Sequence, residues 1–213
     1  MNEKERILEI YKILDENSPA DITFLDKKDP FQFLISVILS AQCTDKMVNI
    51  VTNELFIKYP TAHDLSIADY EDVCTIIKRT GFYRNKAKNI IECSKALDGK
   101  DVPSEIDELI KLPGVGRKTA NCVIGDIYNR GAVIVDTHFK RVVNRLAIVD
   151  EKDPTKIEML IRTKLEDKYL YRFSMTANLH GRNVCHARKP ECDRCLLFKL
   201  CPFGDGDNQE ETK

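Results

Sequence analysis

Three stretches of this chain carry side chains whose types and spacing could do chemistry. The first is Leu112-Pro113-Gly114-Val115-Gly116-Arg117-Lys118-Thr119-Ala120. It joins a helical pattern ending near Lys111 to another beginning near Arg117, with Ala120, Val123, Ile124 and Ile127 on the apolar side. That arrangement predicts a tight helix-hairpin-helix. Gly114 and Gly116 permit left-handed backbone angles, and without side chains there the amide N–H groups can approach an anion closely. The turn also opens the second helix, whose N-terminal partial charge favours a phosphate. It is not a nucleotide-binding P-loop, because the four-residue gap and the Gly-Lys pair are missing. An ordinary turn between helices with a solvated lysine remains the alternative.

The second stretch is Val135-Asp136-Thr137-His138, where the extended connector Val133-Ile134-Val135 ends in a carboxylate ahead of a helix bearing Val142, Val143 and Leu146. Aspartate is an excellent helix N-cap, and a helix N-terminus keeps a carboxylate ionised. His138 reads equally as a phosphate contact or a packed helix residue. The third is Cys185, Cys192, Cys195 and Cys201, a C-x6-C-x2-C-x5-C array. Thiolates crowd this closely only when a metal neutralises them. Structural zinc usually uses two separated C-x2-C pairs, so the single pair here favours iron–sulfur, with zinc still open. Arg188 and Lys189 lie on the short loop between the first two of these cysteines, which is otherwise a plain solvated turn. Cys43, Cys74, Cys93 and Cys122 are scattered and read as buried thiols.

The elements that must position these groups are helical. Apolar residues recur at three- and four-residue spacing, as in Phe31, Leu34, Val37 and Ile38, and again in Ile157, Leu160, Ile161 and Leu165. Asp29-Pro30 reads as an N-cap followed by proline at the first helical position, and Ser104 with Asp107 as a capping box. Gly81, Gly99, Gly131 and Gly181 read as helix ends. The pattern predicts about ten helices and a disordered acidic tail from about Gly204. No linker rich in Pro, Gly or Ser divides the chain, which predicts two closely packed helical lobes with a substrate cleft between them.

Composition narrows the class. With 213 residues, 43% of them hydrophobic, the chain can bury a sizeable core. The first residues are too charged for a secretory signal, and no apolar run approaches the roughly 18 residues of a membrane span, so a cytoplasmic home is expected. In a reducing compartment eight cysteines point to metal ligation or buried thiols rather than disulfides. The 33 Lys+Arg against 34 Asp+Glu do not announce a nucleic-acid binder, so any attraction to DNA must come from a local patch and backbone amides.

The string LPGVGRKTA resembles, residue for residue, the DNA-binding hairpin of the endonuclease III family, and the resemblance runs in register from about residue 3 to about residue 203. It implies an all-α fold: a six-helix barrel over residues 23–132 with a helix-hairpin-helix at about 105–128, and a second domain of residues 1–22 and 133–213. It implies that the cysteine array holds a 4Fe-4S cluster. In that family the lysine of this string, here Lys118, attacks C1′ of the deoxyribose. An amine nucleophile must be uncharged, whereas a free lysine is neutral only about one time in a thousand near neutral pH. Burial, the neighbouring Arg117 and the helix N-terminus are expected to favour the neutral amine. Relatives that only remove bases lack this lysine, so strand cleavage is expected as well. Through VDTH the resemblance makes Asp136 the catalytic carboxylate, stabilising positive charge on the sugar as the base leaves.

A glycosylase takes its base out of the stack, and something fills the gap. Similarity through SAQ-TD implies that Gln42 enters the space left by the flipped nucleotide. Phe82 offers an apolar wedge where relatives often carry an aliphatic residue; a core role for it is the alternative. Leu112, Gly114, Val115, Gly116, Arg117, His138, Arg188 and Lys189 complete the expected DNA surface. The expected partner is damaged double-stranded DNA, bound by a monomer. The expected activity is removal of oxidised pyrimidines in base excision repair, followed by β-elimination at the abasic site. The alternatives are a mismatch or other-lesion glycosylase of the same fold, a non-catalytic DNA-binding protein, and an iron–sulfur electron carrier.

Overall fold

The computed structural model describes residues 1–22, 24–26 and 29–204. The expected disordered tail lies outside the described residues from 205 onward. Among the described residues the chain is all-helical, with no strand. Its helices are α1 (Glu3–Glu16), α2 (Pro30–Leu39), α3 (Asp45–Lys58), α4 (Ala62–Ser66), α5 (Tyr70–Ile77), α6 (Tyr83–Leu97), α7 (Ile106–Leu109), α8 (Arg117–Asp126), α9 (Thr137–Arg145), α10 (Pro154–Lys164) and α11 (Asp167–Asn183). Short 3-10 turns cover Lys78–Thr80, Cys192–Arg194 and Phe198–Leu200. None of the described helices is long and apolar enough to cross a membrane.

Short-range chemistry sets most helix starts. The Asp29 side chain accepts from Gln32 N at 3.0 Å, with Pro30 at the first helical position where its missing N–H is harmless. Asn2 with Glu5 and Thr61 with Asp64 form reciprocal capping boxes. The box expected at Ser104 does not form. Helix α7 begins one residue later than that reading required, after Glu105, so Asp107 sits at the second helical position rather than the third.

The chain forms two compact units. The unit Thr23–Asn129 contains α2 to α8. Helix α2 is apolar on nearly every side, with Phe33, Leu34, Ile35, Ile38 and Leu39 buried, as suits a helix surrounded by others. It packs against α3, α6 and α8.

The other unit, Met1–Ile22 with Arg130 onward, contains α1, α9, α10 and α11. Ile7, Ile10, Leu14, Val142, Phe139 and Phe173 form its core, the last two rings meeting edge-on at 5.7 Å. Arg6 of α1 donates to Leu146 O at 2.8 Å, Ala147 O at 3.0 Å and Leu200 O at 3.1 Å, which fastens the first helix to the end of α9. Gly181 does not end a helix but lies inside α11, and a Cβ there would come within 3.1 Å of His138 Cβ, His138 O and Val142 Cγ2. This glycine serves the close approach of α9 and α11. Gly131 also stands away from a helix end; its N–H donates to Asp167 Oδ2 at 3.2 Å.

Candidate active site

The hairpin sits between α7 and α8 as the sequence predicts. Val115 N donates to Leu112 O at 3.1 Å, closing the turn; Val115 is buried and Leu112 half-buried. Gly114 takes φ +78°, and a Cβ on it would lie 2.9 Å from Asn89 Cβ and 3.2 Å from Ile38 Cγ2. It is therefore glycine for two reasons, a left-handed backbone and contact with α6 and α2. Gly116 differs from the expectation. It is extended, φ −92° and ψ 174°, and forms the N-cap of α8, with open space where a Cβ would be. Any residue could adopt that backbone, so what glycine provides there is exposure of the amides beginning α8. No side chain caps this helix, and no acidic residue lies in its first turn.

Lys118 is the second residue of α8 and is exposed, whereas the catalytic reading expected burial. The reason is helical phase: Ala120, Val123 and Ile124 face the core, and residue 118 points away from that stripe. Arg117 beside it is half-buried.

Two other loops of the same unit present exposed side chains from strained backbone. Gln42, between α2 and α3, has φ +52°; Phe82, the N-cap of α6, has φ +46° and ψ 28°. Phe82 is 67% exposed, which excludes the core alternative. A residue that the sequence reading passed over links these loops. Lys86 is buried, and its Nζ donates to Leu39 O at 2.9 Å and to Thr80 O at 2.8 Å. Its signal was a lysine one turn before Ile90 on the apolar stripe of α6 that also holds Cys93 and Leu97.

In the other unit Asp136 caps α9, its Oδ1 accepting from Phe139 N at 2.8 Å, and it is half-buried. His138 is half-buried against Gly181, and Arg141 Nη2 lies 3.3 Å from its Nδ1. A guanidinium only donates, so Nδ1 is the accepting atom of this contact. Arg141 also donates to Gly181 O at 2.8 Å and Cys185 O at 3.0 Å, tying α9 to the end of α11.

Cys185, Cys192, Cys195 and Cys201 line one tight cavity of about 20 Å³ together with Arg145 and His180. They border this space without forming, among the described residues, a group that would hold a single metal ion. Arg145 Nη1 donates to His186 O at 2.6 Å and to Cys185 Sγ at 3.3 Å. His180 Nε2 lies 3.6 Å from Cys195 Sγ, and burial lowers the pKa of that histidine to about 4. Burial, with smaller contributions from neighbouring thiols, pushes the Cys192, Cys195 and Cys201 thiols up. Bare thiolates are thus disfavoured here, and the donor set fits a cationic iron–sulfur group that would supply the missing positive charge. Arg188 and Lys189 are exposed on the loop between the first two cysteines, Lys189 at φ +52°. Of the remaining cysteines, Cys74 and Cys93 are buried as expected, whereas Cys43 and Cys122 are half-buried.

Residues 35–167 match the family model described as HhH-GPD superfamily base excision DNA repair protein. Endonuclease III of Synechocystis sp. is 43% identical over 205 residues, covering 94% of each chain. Two solved structures, a non-covalent endonuclease III–DNA complex and a trapped endonuclease III–DNA covalent intermediate with an estranged adenine, each superpose with a TM-score of 0.89 at 37% identity. Each covers 96% of this chain and 98% of its own.

Proposed function

Because the chain belongs to the endonuclease III family within the HhH-GPD superfamily of base excision DNA repair proteins, we propose that it is a bifunctional DNA glycosylase and abasic-site lyase with Lys118 as nucleophile. The observation that carries this reading is an exposed amine two residues into a helix whose glycine-built N-terminus is open to a phosphate. The amides of Gly114, Gly116 and the start of α8 bind the backbone of duplex DNA, and Lys118 reaches the sugar of the nucleotide turned out of the stack. Its Nζ forms a bond to C1′ as the glycosidic C1′–N bond breaks, and the base leaves with the bonding electrons and gains a proton. Ring opening gives an imine to Lys118, loss of a C2′ proton expels the 3′ phosphate, and hydrolysis of the imine returns the amine. The amine must shed its proton for the first step.

Asp136 is the carboxylate that stabilises positive charge developing on the sugar, its cap bond holding it in place. Gln42 and Phe82 enter the opened duplex, and Arg188 and Lys189 add the local positive charge that the overall balance lacks. His138, packed and hydrogen-bonded to Arg141, orients that arginine more than it contacts DNA. The four array cysteines hold a 4Fe-4S cluster, which when bound cross-links the segment carrying Arg188 and Lys189; four sulfurs bordering one space are the donor set such a group takes. Residues 23–132 act as the barrel domain and the rest as the cluster domain. The substrate is an oxidised pyrimidine in the chromosome, met in the cytoplasm. Borohydride trapping on abasic-site DNA tests the central step. A covalent adduct that disappears in Lys118→Ala is the expected result, and an adduct that persists in that variant rejects Lys118 as nucleophile. Release of the base from duplexes carrying oxidised pyrimidines, and not from normal ones, tests the substrate.

A further inference from the structure

We infer that Lys86 is a positioning residue, its buried ammonium tying the corner that carries Gln42 to the corner that carries Phe82 and so fixing how both side chains are presented to an opened duplex. The inference rests on the duplex-entering role proposed above for Gln42 and Phe82.

Lysine is expensive on the core side of a helix. Only 6% of Lys86 is exposed, and its ammonium has left water for two backbone oxygens. Burial lowers its pKa, with the nearby Cys43 thiol partly opposing this. Methionine would fill similar volume without desolvating a charge, so what the amine adds lies in what it holds. One acceptor, Leu39 O, belongs to the last turn of α2, where carbonyls lack helical partners and a cation is favoured. Gln42 follows three residues later. The other acceptor, Thr80 O, ends the 3-10 turn two residues before Phe82. The backbone N–H of Lys86 donates to Phe82 O at 3.1 Å, so one residue grips the second corner from both sides.

The gripped corners are strained. Gln42 and Phe82 both hold left-handed angles, which are unfavourable for a non-glycine residue. Such angles persist only where the surroundings over-determine them, and they mark places where presentation matters. Phe82 being 67% exposed, its own packing does not impose that conformation.

The test compares Lys86→Met with the parent protein, both as full chains loaded with iron. One substrate is a lesion-bearing duplex with 2-aminopurine opposite the lesion; the other is a single-stranded abasic oligonucleotide, which has no stack to open. The expected result is loss of the 2-aminopurine fluorescence rise, with kcat/KM on the duplex down by at least about tenfold, the size of one lost charge-assisted contact. Borohydride trapping on the single strand should stay within about threefold. Equal losses on both substrates, or no loss on either, overturn the inference, because a general loss of fold moves both together. If Lys86→Met does not fold, Lys86→Gln keeps an uncharged amide in place of the ammonium and, lacking the charge-assisted contacts, should show the same selective loss; a uniform loss counts against Lys86. Gln42→Ala and Phe82→Ala separate the two readings. If neither diminishes the fluorescence rise, the duplex-entering role fails; if both do and Lys86→Met does not, only the role of Lys86 fails.

Discussion

The Asp136 carboxylate and the Phe139 backbone N–H meet at 2.8 Å, so one side chain both starts helix α9 and offers a negative charge at its end. The two duties separate by substitution. Asparagine caps a helix nearly as well as aspartate, so Asp136→Asn should leave the melting temperature almost unchanged, while losing the charge should slow base release by about a hundredfold or more. Asp136→Ala should lose about 1 kcal/mol of stability in addition. Thermal melts beside single-turnover base release measure both; a fully active Asp136→Asn would reduce Asp136 to a cap.

The two hairpin glycines should fail in opposite ways. Gly114→Ala meets a left-handed backbone and Asn89 Cβ at 2.9 Å, so it should destabilise the protein by about 1–3 kcal/mol. Gly116→Ala meets neither, and its melt should match the parent within about 0.5 kcal/mol. Its methyl group would instead stand over the α8 amides and weaken DNA affinity, by about tenfold or more if one phosphate contact is displaced. Equilibrium binding to an abasic-site duplex checks this, and undiminished affinity would remove the Gly116 region from the phosphate contact.

These glycines also show what the sequence could and could not say. The hairpin and the Asp136 cap are local, each set by spacing within a few residues, and the helices bear them out. Glycine's meaning is not local. Gly116 and Gly181 look like turn residues, yet one is extended and open while the other sits inside α11 because α9 passes close by. Exposure of Lys118 depends on which face of α8 meets the core, legible in principle from Ala120, Val123 and Ile124. Lys86 was hidden because its partners are carbonyls 47 and 6 residues away, and backbone acceptors leave no mark on side-chain pattern.

Phe82→Gly should trade activity for stability. The parent residue holds φ +46° and is largely exposed, so glycine relieves backbone strain while sacrificing little packing. Because glycine also loosens the unfolded chain, the net change should lie between zero and about 1 kcal/mol of added stability. Base release from duplex DNA should fall, and trapping on a single-stranded abasic site should not. Chemical denaturation gives the first quantity; a clear destabilisation would mean that the Phe82 ring supports the fold rather than the opened duplex.

The cysteine cavity makes the sharpest demand on composition. Protein produced with iron available should contain about four iron atoms and as many acid-labile sulfides per chain, with the visible absorption of an iron–sulfur chromophore. Cys192→Ser and Cys201→Ser should each lower the iron content, and the melting temperature should fall with it. Arg145 holds Cys185 Sγ at 3.3 Å and His186 O at 2.6 Å, so Arg145→Met should also loosen the site although it removes no ligand. Buried thiols that resist ionisation gain a metal's neutralisation, and the segment bearing Arg188 and Lys189 then has two of its anchors fixed. Removal of the metal should therefore flatten the salt dependence of DNA binding by about one to two phosphate equivalents, while the Lys118 hairpin keeps its own share. One tightly bound zinc per chain, with no sulfide, would overturn the cluster assignment and leave the cavity with a different occupant.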